Sequence, residues 1–294
     1  MGRPDVQEES LARIRRIGFQ TIMRREYGRI MRIWGQTLVP PAVTAALYFL
    51  IFGSLIGRRI GDMDGVDYMQ YIAPGLIMMA VISNSYGNVV SSFFGAKFGK
   101  HIEELLVAPL PNWLIVLGYV AGGLVRGLLV GVVVTVVALF FTHVPVAHPL
   151  LVAGSVVLTS VVFSLGGFFN AIFAKNFDQI SWFPTFVLTP LIYLGGVFYS
   201  VTLLPAWAEK LSYVNPILYM VNAFRYGMLG RSDRRLELCR RRIAGVARHR
   251  PVVGRDGTGV HGATQCAIRT GTVMLASSVR LAPPNITSRR REWP

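Results

Sequence analysis

The first 230 residues of this 294-residue chain contain no cysteine. That part of the chain therefore has neither a disulfide framework nor a thiol nucleophile. Its histidines, His101, His143 and His148, have no metal-ligand spacing to acids or thiols, which favours solvated loop positions over a metal site. GAKFGK at 95–100 lacks the four residues between its glycines, and the Ser or Thr after Lys, that a phosphate-binding loop requires. No cofactor site is expected in the chain.

Acidic residues are scarce, with 15 Asp+Glu against 30 Lys+Arg, whereas 52% of the residues are hydrophobic. The apolar residues form five long runs, near 34–57, 70–95, 113–141, 150–174 and 182–200. About 20 apolar residues span a bilayer as a helix, and in lipid a helix satisfies its own backbone groups. The runs do not alternate as barrel strands would. The sequence therefore predicts an all-α polytopic membrane protein.

The apolar runs contain no Asp, Glu or His. A standalone secondary transporter coupled to ions or protons, which is the main alternative class, would be expected to carry such residues within its spans. A membrane enzyme would need a nucleophile with its base, or metal ligands, near one interface. Neither pattern is present, so both alternatives are disfavoured.

Basic residues predict the orientation. Residues 1–33 contain eight arginines, and Lys97 and Lys100 lie between the second and third runs, which places these segments and the amino terminus in the cytoplasm. Isoleucines alternate with the arginines of residues 1–33, as in an amphipathic helix in the headgroup region. Nucleic-acid binding is the alternative, but topology and anionic membrane lipid account for the arginines, and no nucleic-acid partner is expected.

The segment KHIEELLVAPLP at 100–111, called the coupling segment below, joins two acidic residues to leucines before a proline stop. This pattern predicts a short helix with a polar and an apolar side, too short to span a membrane. A pair of carboxylates beside leucines could dock into a basic groove of a partner protein. The helix could equally be a surface link between two spans, and the residues alone do not choose.

Several motifs appear in order along the chain, and they resemble the ABC-2 (type-2) permease subunits of ABC transporters. They are WGQTLVPP (34–41), YMQYIAPGLIMM (68–79), IEELLVAPLP (102–111), FAKNFDQIS (173–181), PTFVLTPLIYLGGVFYS (184–200) and NPILYMVNAFRYGMLG (215–230). The resemblance implies six transmembrane helices per subunit, a homodimer of permease subunits and an exporter in the cell inner membrane. It also implies a separate ABC ATPase subunit, on which ATP-Mg binds.

In that family the segment that joins acidic residues to leucines and a proline is the coupling helix that enters a groove on the ATPase. The matching positions here are Glu104, Leu106 and Pro109. With their neighbours they give the expected ATPase-coupling residues: Lys100, Glu103, Glu104, Leu105, Leu106 and Pro109.

Polar residues within the runs are candidates for a translocation path. They form one stripe on the second run and one on the fifth: Asn84, Asn88 and Ser91, then Thr185, Thr189 and Tyr193. Such stripes line a path or hydrogen-bond neighbouring helices. Arg126 is a base within the third run, and an intramembrane ion is a functional hypothesis. Its alternative is a position near the interface, from which the side chain snorkels to the cytoplasm.

The composition changes at about Gly230. Residues 231–294 hold 14 of the chain's 30 Lys+Arg, all of them Arg, with 4 acidic residues and a single aromatic, Trp293. No window there reaches 20 apolar residues, so the sixth helix implied by the resemblance is not recognisable. We hypothesise a frameshift near codon 230; the alternative is a genuine disordered basic tail. The predicted division is therefore 1–33 (amphipathic connecting helix), 34–230 (transmembrane domain) and 231–294 (tail).

Overall fold

The computed structural model describes residues 4–57, 62–63, 66–108, 110–200 and 204–230. The predictions for the tail at 231–294, and for Pro109, lie outside these residues. The described helices are α1 (Pro4–Arg32), α2 (Trp34–Tyr48), α3 (Tyr68–Phe98), α4 (His101–Val107), α5 (Asn112–Phe141), α6 (Pro149–Phe173), α7 (Phe177–Phe183), α8 (Thr189–Leu194), α9 (Ala206–Val214) and α10 (Pro216–Leu229). Helix α2 continues as π-helical turns over Phe49–Gly57, and β1 (Asp62–Met63) pairs antiparallel with β2 (Val66–Asp67).

Four helical segments in the described part of the chain are long and apolar enough to cross a membrane, which confirms the all-α polytopic class. They are Trp34–Gly53, Tyr68–Phe98, Asn112–Phe141 and Pro149–Phe173, and they match the first four predicted runs.

The fifth predicted run, near 182–200, differs from a simple span. Helical turns extend from Phe177 to Leu194, but π-helical turns over Pro184–Leu188 interrupt them. The helical segment that starts at Phe177 continues with the polar residues Asp178 and Gln179, which make its beginning less apolar. Proline has no N–H for the helical ladder, so the break at Pro184 has a covalent cause.

Helix α3 is the centre of the bundle and packs along both α5 and α6. Small residues permit this close approach, because Gly123 and Gly127 of α5 face serine hydroxyls. A Cβ atom at Gly127 would overlap Ser85 of α3, and one at Gly123 would overlap Ser164 of α6. Close contact at glycine and serine is the usual way in which membrane helices associate.

Helix α1 is docked on the bundle along one face. Gly118 and Gly122 of α5 leave room for Ile22 and Glu26 of α1, and Ile22, Glu26 and Ile30 are buried. The arginines of α1 from Arg13 onward are exposed, except Arg29, which is half-buried. Residues 4–32 are therefore helical, and the helix is anchored by contacts that the alternation of Ile and Arg did not reveal.

Helices α9 and α10 lie at the end of the bundle opposite to the basic segments. Helix α10 starts beside the end of α8, where Asn215 donates to the Leu191 carbonyl. At its other end Ala147 N and His148 N, in the α5–α6 connection, donate to the Met228 and Gly227 carbonyls at 3.0 and 2.8 Å. Both ends of α10 thus lie on one side of the bundle.

Candidate coupling segment and translocation path

The coupling segment begins at a sharp turn after α3. Lys100 adopts the left-handed conformation with φ of +57°, which is uncommon for a residue other than glycine. The turn redirects the chain into α4 and leaves the Lys100 side chain exposed. Glu103 and Glu104 follow in the first turn of α4, and both are exposed.

The two leucines of α4 point in opposite directions. Leu105 is half-buried and packs against the cluster that contains Phe94 and Ala174. Leu106 is 61% exposed and Val107 is 86% exposed. Of the two leucines predicted to couple, Leu106 is therefore available to a partner, whereas Leu105 holds α4 on its own bundle.

The base of the coupling segment is fixed by neighbouring helix ends. Lys97 Nζ, in the last turn of α3, donates to the Ile172 and Ala174 carbonyls at 2.6 and 2.9 Å. A lysine at the last carbonyls of a helix satisfies groups that have no partner within that helix. On the other side, Leu110 fills the space beside Gly18 of α1. The contacts beside the coupling segment thus involve α1, α3 and α6.

The first polar stripe lies on α3, and its side chains form hydrogen bonds with their own helix and with α1. Asn84 Nδ2 donates to the Ala80 carbonyl of its own helix at 3.0 Å. Asn88 is fully buried, and its Oδ1 accepts from Arg29 Nη2 at 2.8 Å. Ser91 is exposed and donates to the Asn88 carbonyl at 3.1 Å.

Two charged residues of α1 belong to this site, and sequence reasoning did not place them there. Glu26 is 2% exposed, hydrogen-bonds Ser92 of α3 and pairs with Arg29 at 3.0 Å. The sequence feature that could have identified Glu26 is the position of this acidic residue on the apolar face of α1, four residues after Ile22. Buried carboxylates are rare without partners, so that position indicated a specific contact.

Arg126 lies midway along α5, and its Nη2 is 3.4 Å from Asn84 Oδ1. Asn84 is itself near the middle of α3, so the guanidinium remains level with the centre of the bundle. This geometry favours the interior-ion interpretation over snorkelling, in which the side chain would extend towards the cytoplasmic end of α5.

The second stripe is satisfied within its own segment. Thr185 Oγ1 donates to the Ser181 carbonyl at 2.7 Å, and Thr189 Oγ1 donates to the Pro184 carbonyl at 2.8 Å. Tyr193 differs, because its hydroxyl lies 3.3 Å from that of Tyr48 on α2.

A cavity of about 290 Å³ separates α3 from the 177–194 segment. Ser91 of the first stripe and Thr189 of the second both line it, so the structure brings one member of each stripe to the same space. The remaining lining is largely apolar, with Val90 of α3 facing Leu188 and Ile192.

A central spanning helix with a polar stripe, followed by an exposed short helix with two acidic residues and a leucine, characterises this polytopic α-helical membrane protein. The match to the family model "ABC-2 type transporter" covers residues 17–229. The chain belongs to the ABC-2 type transporter family.

Three relatives illustrate the family. The chain is 60% identical over 217 residues to "Inner membrane transport permease YadH" of Escherichia coli (strain K12), covering 74% of this chain and 85% of that protein. It is 27% identical over 216 residues to "Nodulation protein J" of Sinorhizobium fredii (strain NBRC 101917 / NGR234), covering 71% and 80%. It is 22% identical over 215 residues to "Nodulation protein J" of Rhizobium leguminosarum bv. viciae, covering 73% and 83%. The chain is a multi-pass inner-membrane permease of an ABC transporter.

Proposed function

We propose that this permease is the membrane-spanning subunit of an ATP-driven exporter and that α4 couples it to a separate ATPase subunit. The observation that carries the proposal is the exposed surface of α4, where Glu103, Glu104 and Leu106 face outward together. An exposed leucine beside two carboxylates fits a basic groove with an apolar floor. ATP-Mg binds on the partner in this proposal. The direction of transport rests on the resemblance to exporter permeases.

A homodimer is part of the proposal. Ser83 and Ser91 are exposed on α3, a helix that spans the membrane, and polar groups facing lipid are costly. A second permease subunit packed on this side would cover the stripe and the adjoining cavity. The two subunits together would then enclose a path along α3.

Membrane lipid is the remaining proposed partner. The exposed surface of α1 carries the arginines Arg13, Arg15, Arg16, Arg24, Arg25 and Arg32. Each basic residue near an anionic leaflet contributes about 1 kcal/mol of attraction. These arginines support contact with anionic headgroups at the cytoplasmic surface.

The test is a charge reversal in α4. Glu103→Lys with Glu104→Lys should abolish co-purification with the proposed partner ATPase and stop ATP-driven export, because lysines repel a basic groove. Membrane insertion should be unchanged. Asp67→Lys is the control, since Asp67 is exposed at the opposite end of α3. Undiminished co-purification and export of the double variant would contradict the docking role.

A further inference from the structure

Two arginines from different helices meet the polar stripe of α3 at successive turns. Arg126 of α5 contacts Asn84, and Arg29 of α1 contacts Asn88. These asparagines are four residues apart, which is a rise of about 6 Å along the helix. The two guanidinium groups therefore lie close together beside one stretch of α3.

The charges of this cluster do not balance. Glu26 pairs with Arg29 at 3.0 Å, but no carboxylate of the described residues lies within ion-pair distance of Arg126. The sequences of α2, α3, α5 and α6 contain no Asp or Glu, so a second copy packed against them would bring no carboxylate from these helices either. An uncompensated guanidinium in the middle of a spanning helix is costly.

Some hydrogen-bond donors of this cluster also lack an acceptor among the described residues. Asn88 Nδ2, Arg29 Nε and Arg126 Nε are buried and have no acceptor among the described residues. Asn88 is 0% exposed. Each of these atoms is a donor, so an acceptor of negative charge would satisfy both the charge and the hydrogen bonds.

An apolar compartment adjoins the cluster. Arg29 Nη1 is 3.5 Å from Ser91 Oγ, and Ser91 lines the cavity of about 290 Å³ with Leu188 and Ile192. A molecule with an anionic head at the arginines could place an apolar tail in this cavity. Guanidinium groups match the planar geometry of carboxylates and the oxygens of phosphates.

We propose that Arg29, Arg126 and Asn88 form a binding site for the phosphate or carboxylate head of an anionic amphiphile. The site lies on the path of the proposed permease and rests on that function for its role in transport. Binding itself requires no ATPase, so it is measured on the permease alone.

The experiment uses the full chain purified in dodecyl maltoside, with dodecyl phosphate as the probe and dodecyl glucoside as the uncharged comparison. Dodecyl phosphate should raise the thermal unfolding midpoint, and Arg126→Gln should need a concentration about tenfold higher for the same rise, the loss expected for one charged hydrogen-bond partner. Lys175→Gln is the matched control, because Lys175 is an exposed base between α6 and α7. It should respond as the wild type does.

Asn84→Asp tests the charge argument from the opposite direction. The new carboxylate would pair with Arg126, so the variant should unfold at a higher temperature without probe and respond to dodecyl phosphate about tenfold more weakly. This variant also carries the test if Arg126→Gln does not fold. The proposal is overturned if Asn84→Asp responds like the wild type, or if dodecyl glucoside stabilises the wild type equally.

Native mass spectrometry distinguishes the two sources of the anionic head. A phosphatidylglycerol molecule that stays bound to the wild type but not to Asn84→Asp identifies a bilayer lipid. Retention of dodecyl phosphate alone identifies a single-chain amphiphile of the kind that could be cargo. Retention of neither contradicts the site while leaving the proposed coupling to an ATPase intact.

Discussion

Glu26→Gln should weaken the attachment of α1 to the bundle and so lower the free energy of unfolding. The substitution keeps the shape of the side chain but removes the charge that Arg29 and Ser92 contact. A hydrogen bond to a charged group contributes about 1.5–3 kcal/mol, and the lower part of that range applies to Arg29, which is partly exposed to solvent. We expect the free energy of unfolding to fall by about 2 kcal/mol.

Equilibrium unfolding in dodecyl maltoside, titrated with dodecyl sulfate, measures this difference. Glu103→Gln is the matched control, because the same chemical change at an exposed position should cost less than about 0.5 kcal/mol. Gly122→Ala adds a second perturbation of the same contact, since a Cβ atom there would lie 3.0 Å from the Glu26 side chain. The two changes should therefore be non-additive by at least about 0.5 kcal/mol. A loss for Glu26→Gln no larger than that of the control would refute the anchoring of α1.

Two further predictions concern the outer end and the tail. Gly75→Ala should lower the free energy of unfolding by about 1–3 kcal/mol, because its Cβ would lie 2.5 Å from the Val197 carbonyl oxygen. Gly154→Ala is the control and should not lower the free energy of unfolding, since no atom lies within 4 Å of its Cβ. Equal effects of the two substitutions would contradict this packing. Resequencing around codon 230 should reveal another frame that encodes about 20 apolar residues followed by a basic end; a confirmed frame with no such stretch in the other two would make the tail genuine.

The sequence predicted the features that depend on local pattern. The apolar runs from 34 to 174 became spanning helices, because length and hydropathy suffice to place a helix in lipid. The short helix at 101–107 followed from its acidic pair and leucines, which stand before a proline stop. The π-helical turns at Pro184–Leu188 within the fifth run were not apparent from hydropathy alone.

The contacts between helices could not be predicted from the sequence, because they depend on how one helix is rotated against the next. The opposite directions of Leu105 and Leu106 depend on how α4 sits on the cluster around Phe94. The pairing of Arg126 with Asn84 depends in the same way on the register of α5 against α3. A stripe on one helix indicates a face, but its partner is known only when the helices are packed.

Coupling through α4 is tested most directly by cross-linking to the proposed partner ATPase. The described residues contain no cysteine, so a cysteine at Leu106 becomes the sole thiol once Cys239 and Cys266 are replaced by serine. In membrane vesicles treated with a thiol-to-amine cross-linker, Leu106→Cys should give a product with the combined mass of permease and ATPase. Leu105→Cys, which points into its own bundle, should give little or none. Equal products from both variants, or none from Leu106→Cys, would contradict the account.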